Sequence, residues 1–291
     1  MSPLIYPVGF YQQNSGTLLD PPSNIANGAI LAYSTRKIKS DYTGYPGRII
    51  GRTNTTEDNF QDISFSNNII SSSEILTYCT NNSVSDCGFL PYDQSGNSNH
   101  AQRYVGQNNL SLPRIAAAGG VNTENNKPTL LMFDDATGGG TGNASCFQFS
   151  SVISSVNDFE FMGVCRTSKL NSYIVHGATR NNQIQLNYRL FERIYFSDFN
   201  NFHYGFSAPS LSSLNIIGAS RSGNSLKIYC NGIEIYSGTS SVVLGWNSVA
   251  PPGVNSSILG AYPELMLWNE QLSNSERADK VADIKTYYGI P

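Results

Sequence analysis

Along most of this chain apolar and polar residues change places every residue or two, in short runs closed by Gly, Asn, Asp and Ser. A period of two puts alternate side chains on opposite faces of an extended strand. Gln183–Tyr188 shows it without interruption, with Ile184, Leu186 and Tyr188 against Gln183, Gln185 and Asn187. In Glu160–Arg166, Phe161, Gly163 and Cys165 alternate with Met162, Val164 and Arg166. Similar runs predict strands at Ala29–Arg36, Pro46–Gly51, Ser172–His176, Phe191–Ser197 and Leu214–Ser220. Arg36-Lys37-Ile38-Lys39 reads as an alternating strand with a solvated face. Ser225–Cys230 and Ile233–Ser237 flank Asn231-Gly232, a hairpin signal because both turn residues must accept positive φ. One helix closes the chain. Ser273 and Glu276 mark its start, and Ala278, Val281, Ile284 and Tyr287/Tyr288 recur at helical spacing up to Gly289. Residues 1–28 differ, since four prolines break any periodicity. They read as an extended arm, either docked on a partner or neighbouring copy, or a floppy leader or extra edge strand. The expectation is therefore an N-terminal arm over 1–28 and one all-β domain over 29–291.

Composition sharpens this picture. Charged residues make up only 13% of the chain and hydrophobic ones 40%, so polarity comes from Asn, Ser, Thr, Gly and Tyr. That charged share is about half the usual one. It suits an extracellular protein, a particle surface or a carbohydrate binder. The net charge is −3 and no basic run is denser than residues 36–39. The stripe that nucleic-acid binding by counterion release requires is missing, so no nucleic-acid partner is expected. No apolar stretch approaches the roughly 20 residues of a membrane span, so no membrane insertion is expected. The first residues lack a basic n-region and an apolar h-region, so entry to the general secretory route by a cleaved signal is not expected. Assembly of a virus particle inside its host, followed by lysis, reconciles a surface-type composition with that. So does a dedicated secretion machine.

Candidate chemistry is sparse. Of five cysteines, Cys79 and Cys87 bracket a short polar loop and are a disulfide candidate. Cys146, Cys165 and Cys230 sit in or beside apolar stretches and read as buried thiols. Asp134 and Asp135 open the glycine-rich segment Gly138–Asn143. Paired acids with nearby carbonyls fit calcium, and equally the start of a polar turn. Calcium there is the sole cofactor candidate. The glycine-rich segment reads as a mobile loop and not as a phosphate cradle, since no Lys-Ser/Thr and no helix follow it. His100, His176 and His203 lie far apart, with none beside a nucleophile motif. Tyr92-Asp93-Gln94-Ser95-Gly96-Asn97-Ser98-Asn99 leaves an apolar Phe89-Leu90 for a polar turn. Asp93 can accept from amides two residues on and Gly96 can turn left-handed, so the motif is expected to shape a loop.

Two segments, Ala32–Gly44 and Tyr92–Gln102, together resemble the opening half of the fungal-type α-L-arabinofuranosidase B catalytic domain, and laminin-G-like jelly rolls of phage structural proteins. Leu226–Ile235, Ile258–Ala261 and Glu264–Glu276 fit a generic laminin-G-like pattern. The resemblance implies a concanavalin A/laminin-G-like jelly-roll sandwich over about 29–291, with the N-terminal arm and a short C-terminal helix. It also sets Cys79 and Cys87 where those enzymes carry a short-loop disulfide. The family's catalytic pattern is departed from in three places. There is no Cys-Cys pair. Tyr173–Asn182 holds neither Trp nor acid. Near the late strand stands only Glu264, expected to be a surface residue. Retaining glycosidases need two carboxyl groups about 5–5.5 Å apart, so no catalytic residue is expected. The function expected first is a non-enzymatic virion structural protein, a phage capsid decoration, fibre or tail component. It would sit at the virion surface as a homo-oligomer, held to other virion proteins by the arm. The alternatives are a carbohydrate-binding adhesin, whose 17 tyrosines would stack on host surface glycans, and an arabinofuranosidase-like hydrolase.

Overall fold

The computed structural model describes residues 23–53, 56, 58–117, 119–132, 145–167, 172–177, 182–187, 193–198, 201–206, 210–240, 244–249 and 260–291. Among them the strands form three main antiparallel sheets. The first has six strands in the spatial order Leu31–Ser34, Glu264–Trp268, Phe159–Cys165, Asn215–Ser222, Ser225–Cys230, Ile233–Thr239. The second has seven, in the order Asn201–Phe206, Arg193–Asp198, Asn182–Asn187, Ser172–Gly177, Leu244–Val249, Phe147–Val156, Ala101–Gln102. The third is built on Arg114–Ala117, Asp86–Pro91, Gly47–Gly51 and Gln61–Ile63.

Alternation decides the layering. Leu265 and Leu267 of the first sheet meet Phe147, Ile174, Phe196 and Trp246 of the second in one buried cluster. The alternate residues, Met266 and Trp268, face the other way with Met162 and Val164. There the C-terminal helix α1, Asn274–Tyr288, lays Val281, Ile284 and Tyr288 on them. The sandwich core is rich in rings: Phe159 and Phe161 both meet Trp246 edge-on, with centroids 5.8 and 5.5 Å away. Such pairs add about 0.5–1.5 kcal/mol each beyond their buried area.

The expected hairpin and closing helix are present. Asn231 and Gly232 take φ of 51° and 84°. Ser273 accepts from the Glu276 amide while Glu276 reaches back to the Ser273 amide, a complete capping box, and Gly289 ends the helix in the left-handed region. A second helix, Ser72–Asn81, breaks the all-strand reading of the chain after Gly28. Its signal was local: Ser71 caps the Glu74 amide, and Ile75, Tyr78 and Cys79 bury one face against the third sheet.

Two expectations fail near the start. Residues 36–39 are not a strand beyond a single bridge at Arg36, and Arg36 is buried, not solvated. Of the arm expected over 1–28, residues 23–28 belong to the domain. The Ala26 amide donates to the Ile38 carbonyl, and the Trp268 indole donates to the Asn27 carbonyl at 2.8 Å. Ile25 is buried against the helix-covered face, which explains why this segment cannot float free. Residues 1–22 lie outside the described residues.

Candidate functional site

The motif at residues 92–99 shapes a loop, and the hydrogen bonds say which one. Leu31–Ser34 is an edge strand of the first sheet, with one row of backbone groups unpaired by any strand. Asp93 and Gln94 cover that edge. The Ala32 amide donates to Asp93 Oδ1 at 2.9 Å, and the Gln94 amide donates to the Ala32 carbonyl at 2.7 Å. The buried Gln94 amide group donates to the Ser34 and Arg36 carbonyls and accepts from the Ile38 amide. Asp93 also takes the amides of Ser95 and Asn99, the Asx-turn expected of it. Gly96 turns at φ 99°, and Asn97 donates to the Ile30 carbonyl. Asn99 then crosses to the second sheet, where it accepts from the Ser151 amide and donates to the Ser151 carbonyl. The Tyr92 ring lies 4.4 Å from the His100 ring at a tilt of 32°, and its hydroxyl donates to Asp62. Burial, with Asp62 helping, pushes the Tyr92 phenol up to about 12. Burial pulls the His100 imidazole below its ordinary value, against the pull of Asp93.

The other candidates are scattered. A disulfide joins Cys79, in the helix Ser72–Asn81, to Cys87 on the third sheet. Cys146, Cys165 and Cys230 are free and buried, and burial raises their thiols to about 12 or above. Asp134, Asp135 and the glycine-rich segment after them lie outside the described residues, and among the described residues no cluster of His, Cys, Asp and Glu fits a metal ion. His203 bonds Tyr236 at 2.9 Å across two sheets.

Glu264 overturns its expectation. It is 1% exposed, not a surface residue. Arg36 donates to both its oxygens, at 3.0 and 3.3 Å, and Ser34 and Tyr288 donate to it as well. Burial works against the Arg36 charge, but Glu264, Tyr288 and Asp283 hold its guanidinium above the ordinary value. A second pair repeats the device: Arg277 grips buried Glu160 at 2.6 and 2.8 Å. Burial raises the Glu160 carboxyl above its ordinary value, with Arg277 pulling it back. Both glutamates point out of the first sheet under α1, away from the sandwich interior, and every oxygen is occupied.

The second sheet's outer face is different in kind. Ile194 and Phe196 go inward, so Arg193, Tyr195 and Ser197 go outward. Tyr195 pairs across strands with Tyr204 and their rings lie 5.5 Å apart. The Arg193 guanidinium lies over the Tyr204 ring at 4.7 Å. Tyr204 is 42% exposed, a high figure for a ring on a sheet. The backbone register sets Tyr173, Gln185, Tyr195 and Tyr204 in one row across four strands. The next row crosses all seven strands: Gln102, Gln148, Ser248, His176, Gln183, Ser197, Phe202. Neither row contains a carboxylate or an ammonium. Sequence reading noted the alternation of Gln183–Tyr188, but which of its faces lay outward required the partner sheet.

The comparisons with known proteins bear on the fold. No protein-family model and no curated protein matches this sequence. Two solved structures of GH54 α-L-arabinofuranosidase are similar to it, a variant soaked with 4-nitrophenyl α-L-arabinofuranoside and an enzyme soaked with a cyclic sulfate inhibitor. Each has a TM-score of 0.66 at 16% identity and covers 91% of this chain and 64% of its own. The chain thus spans somewhat under two thirds of those enzymes. Domain 4 of an extracellular arabinanase from Geobacillus stearothermophilus, in complex with arabinotriose, follows at a TM-score of 0.48 and 14% identity, covering 65% of this chain and 92% of its own. The neighbours named are carbohydrate-active or carbohydrate-binding β-sandwich domains, and the jelly-roll sandwich is the fold of this chain.

Proposed function

We propose that this chain is a carbohydrate-binding sandwich that does not hydrolyse its ligand, and that it binds through the outer face of the seven-stranded sheet. The observation that carries this is the Tyr195–Tyr204 pair, with Tyr204 exposed and the Arg193 guanidinium 4.7 Å over the Tyr204 ring. Sugar rings present an apolar face edged by hydroxyls. Aromatic rings give that face a dry platform. Planar guanidinium and amide groups meet the hydroxyls. The uncharged rows beside the pair suit a neutral polyol better than a nucleic acid or an acidic peptide.

The non-hydrolytic part rests on the carboxylates. Retaining and inverting glycosidases both place two carboxyl groups around the scissile bond. The buried glutamates Glu160 and Glu264 sit on the opposite side of the sandwich, each consumed by an arginine. Purified protein should release no 4-nitrophenol from aryl arabinofuranosides above blank. Turnover that disappears in Glu264→Gln would overturn this part.

The binding part is tested on a glycan array with Tyr204→Ala and Tyr195→Ala as controls. The expected result is retention of at least one neutral glycan, weakened about tenfold or more in either variant, with unchanged unfolding midpoints. A blank array, or binding that ignores both substitutions, would overturn it. Display on a virus particle through residues 1–22 would turn the same face toward host glycans, and mass spectrometry of purified particles is the measurement for that placement.

A further inference from the structure

We infer that this chain has a second binding site, for a sugar carrying one carboxylate, in a groove where the third sheet meets the end of the seven-stranded sheet. The site goes beyond the Tyr195–Tyr204 face and does not depend on it. The groove has a volume of about 500 Å³, within the range of small-molecule sites. Arg48 lines it from a strand of the third sheet, and Phe60 from the residue before that strand's partner. Gln102 lines it from the last strand of the seven-stranded sheet, with Arg103 and Tyr104 just after. Gln148 lines it from the neighbouring strand, opposite Gln102 in register.

The observation that carries the site is Arg48. Among the described residues, Arg36, Arg52, Arg103, Arg114, Arg166 and Arg277 each grip a carboxylate at 3.0 Å or less. Arg48 grips none of the described carboxylates. Its guanidinium lies 4.4 Å over the Phe60 ring, and its Nε is buried without a hydrogen bond. Asp62 stands opposite Arg48 in the strand register, but its Oδ1 takes the Tyr92 hydroxyl. A charge drawn partly out of water is ordinarily paired. A ring under one face of a guanidinium steadies its plane and leaves the terminal N–H groups to a ligand. Those groups meet a carboxylate in two parallel hydrogen bonds.

The rest of the groove fixes the charge and character of that ligand. Arg103 is already neutralised: it pairs with Asp58 at 2.8 Å and reaches Asn109 Oδ1 and the Thr56 carbonyl. With Arg103 and Asp58 cancelling, the groove keeps the one positive charge of Arg48. One cation matches one carboxylate, not a phosphate dianion or a polyanion. Gln102, Gln107 and Gln148 bring amides to the groove, and amides both donate and accept, as sugar hydroxyls do. Gln148 Oε1 accepts from the Val105 amide, which orients its NH2 group before a ligand arrives. A wall already ordered costs less to bind. Tyr104 and the exposed Val105 offer apolar surface to the carbon face of a sugar ring.

Calorimetry on the full chain is the test, with glucuronate, galacturonate and N-acetylneuraminate set against glucose, galactose, acetate, N-acetyl-diglycine and inorganic phosphate. At least one acidic sugar should bind about tenfold or more tighter than any of the other five. Arg48→Gln should weaken that binding about tenfold or more, and Arg48→Lys, which keeps the charge without the paired donors, should weaken it less. Gln102→Ala, at an exposed position, should weaken it about threefold with an unchanged unfolding midpoint, so the site remains testable if Arg48→Gln fails to fold. Tyr204→Ala should leave it unchanged, which separates this site from the tyrosine face. No binding by any acidic sugar, or binding that ignores both the Arg48 and the Gln102 substitutions, overturns the inference while the proposed function stands. Loss of the acidic sugar in Tyr204→Ala overturns the second site. Equal affinity for the neutral sugars overturns the charge assignment, and tighter binding of phosphate overturns the single carboxylate. Equal affinity for acetate or N-acetyl-diglycine overturns the sugar.

Discussion

The two outer faces of this sandwich are built from similar strands and have opposite fates. The face of the six-stranded sheet holds two glutamates, and a helix seals it; each glutamate is buried with an arginine, Glu264 with Arg36 and Glu160 with Arg277. The face of the seven-stranded sheet holds tyrosines, amides and serines, and Tyr204 stays open to solvent. The difference teaches where this protein keeps its charge. Carboxylates are used as internal fasteners for a helix, where removing either partner strands a buried charge. The face proposed for recognition carries rings, neutral hydrogen-bonding groups and the Arg193 guanidinium, but no described carboxylate. Substitutions on the first face should therefore act on stability and those on the second on binding.

The sharpest break in that comparison is Arg36→Ala. It removes the arginine that pairs with buried Glu264, and should cost about 3–5 kcal/mol. Urea unfolding measures it, and a cost below about 1 kcal/mol would mean the pair behaves as a surface bridge. Next comes the entry segment. A chain beginning at residue 23 and one beginning at residue 29 should differ by about 3 kcal/mol, because the second loses buried Ile25 and leaves the Trp268 indole without the Asn27 carbonyl. Equal midpoints would return residues 23–28 to the arm. Cys79→Ser should cost about 2.5 kcal/mol under oxidising conditions and nothing under reducing ones, from the entropy of closing a short loop. Tyr204→Ala should change stability by under about 0.5 kcal/mol while weakening glycan binding, which is the comparison in one variant.

The smallest effect concerns pH. His100 has a folded pKa below 6.5, so the fold prefers the neutral ring. Its contribution is complete above the ordinary value of 6.5 and is lost as pH falls from there through the depressed folded value. Unfolding midpoints of the wild type should drop over that window slightly more than those of His100→Asn. Identical pH profiles would show that His100 does not titrate on unfolding.

Much of the fold was legible locally. Asn231-Gly232 forces a hairpin because its backbone must turn left-handed, whatever packs on it. Ser273 and Glu276 cap a helix with their own side chains. Asp93 turns its own loop through the amides of Ser95 and Asn99. Alternation within Glu160–Arg166 and Gln183–Tyr188 declared strands and the two faces of each. These signals work because cause and effect lie within a few residues.

Other features required the folded chain. Arg36 looked solvated and Glu264 looked exposed, yet they are 228 residues apart in sequence and 3.0 Å apart in space. Charge alone argues for water, and only a partner across the sheet can make burial tolerable. Gln94 carried no sign that its amide would serve Ser34, Arg36 and Ile38 in a segment about 60 residues away. The row from Gln102 to Phe202 draws on seven strands that the chain visits out of spatial order. The sequence by itself determined an all-β domain, its hairpin and its closing helix, because period and turn chemistry are short-range properties, while the sandwich was what the resemblance implied. Which face was sealed and which stayed open, and so where a ligand has room, was decided by tertiary structure, because a face acquires its neighbours only when distant strands settle into register.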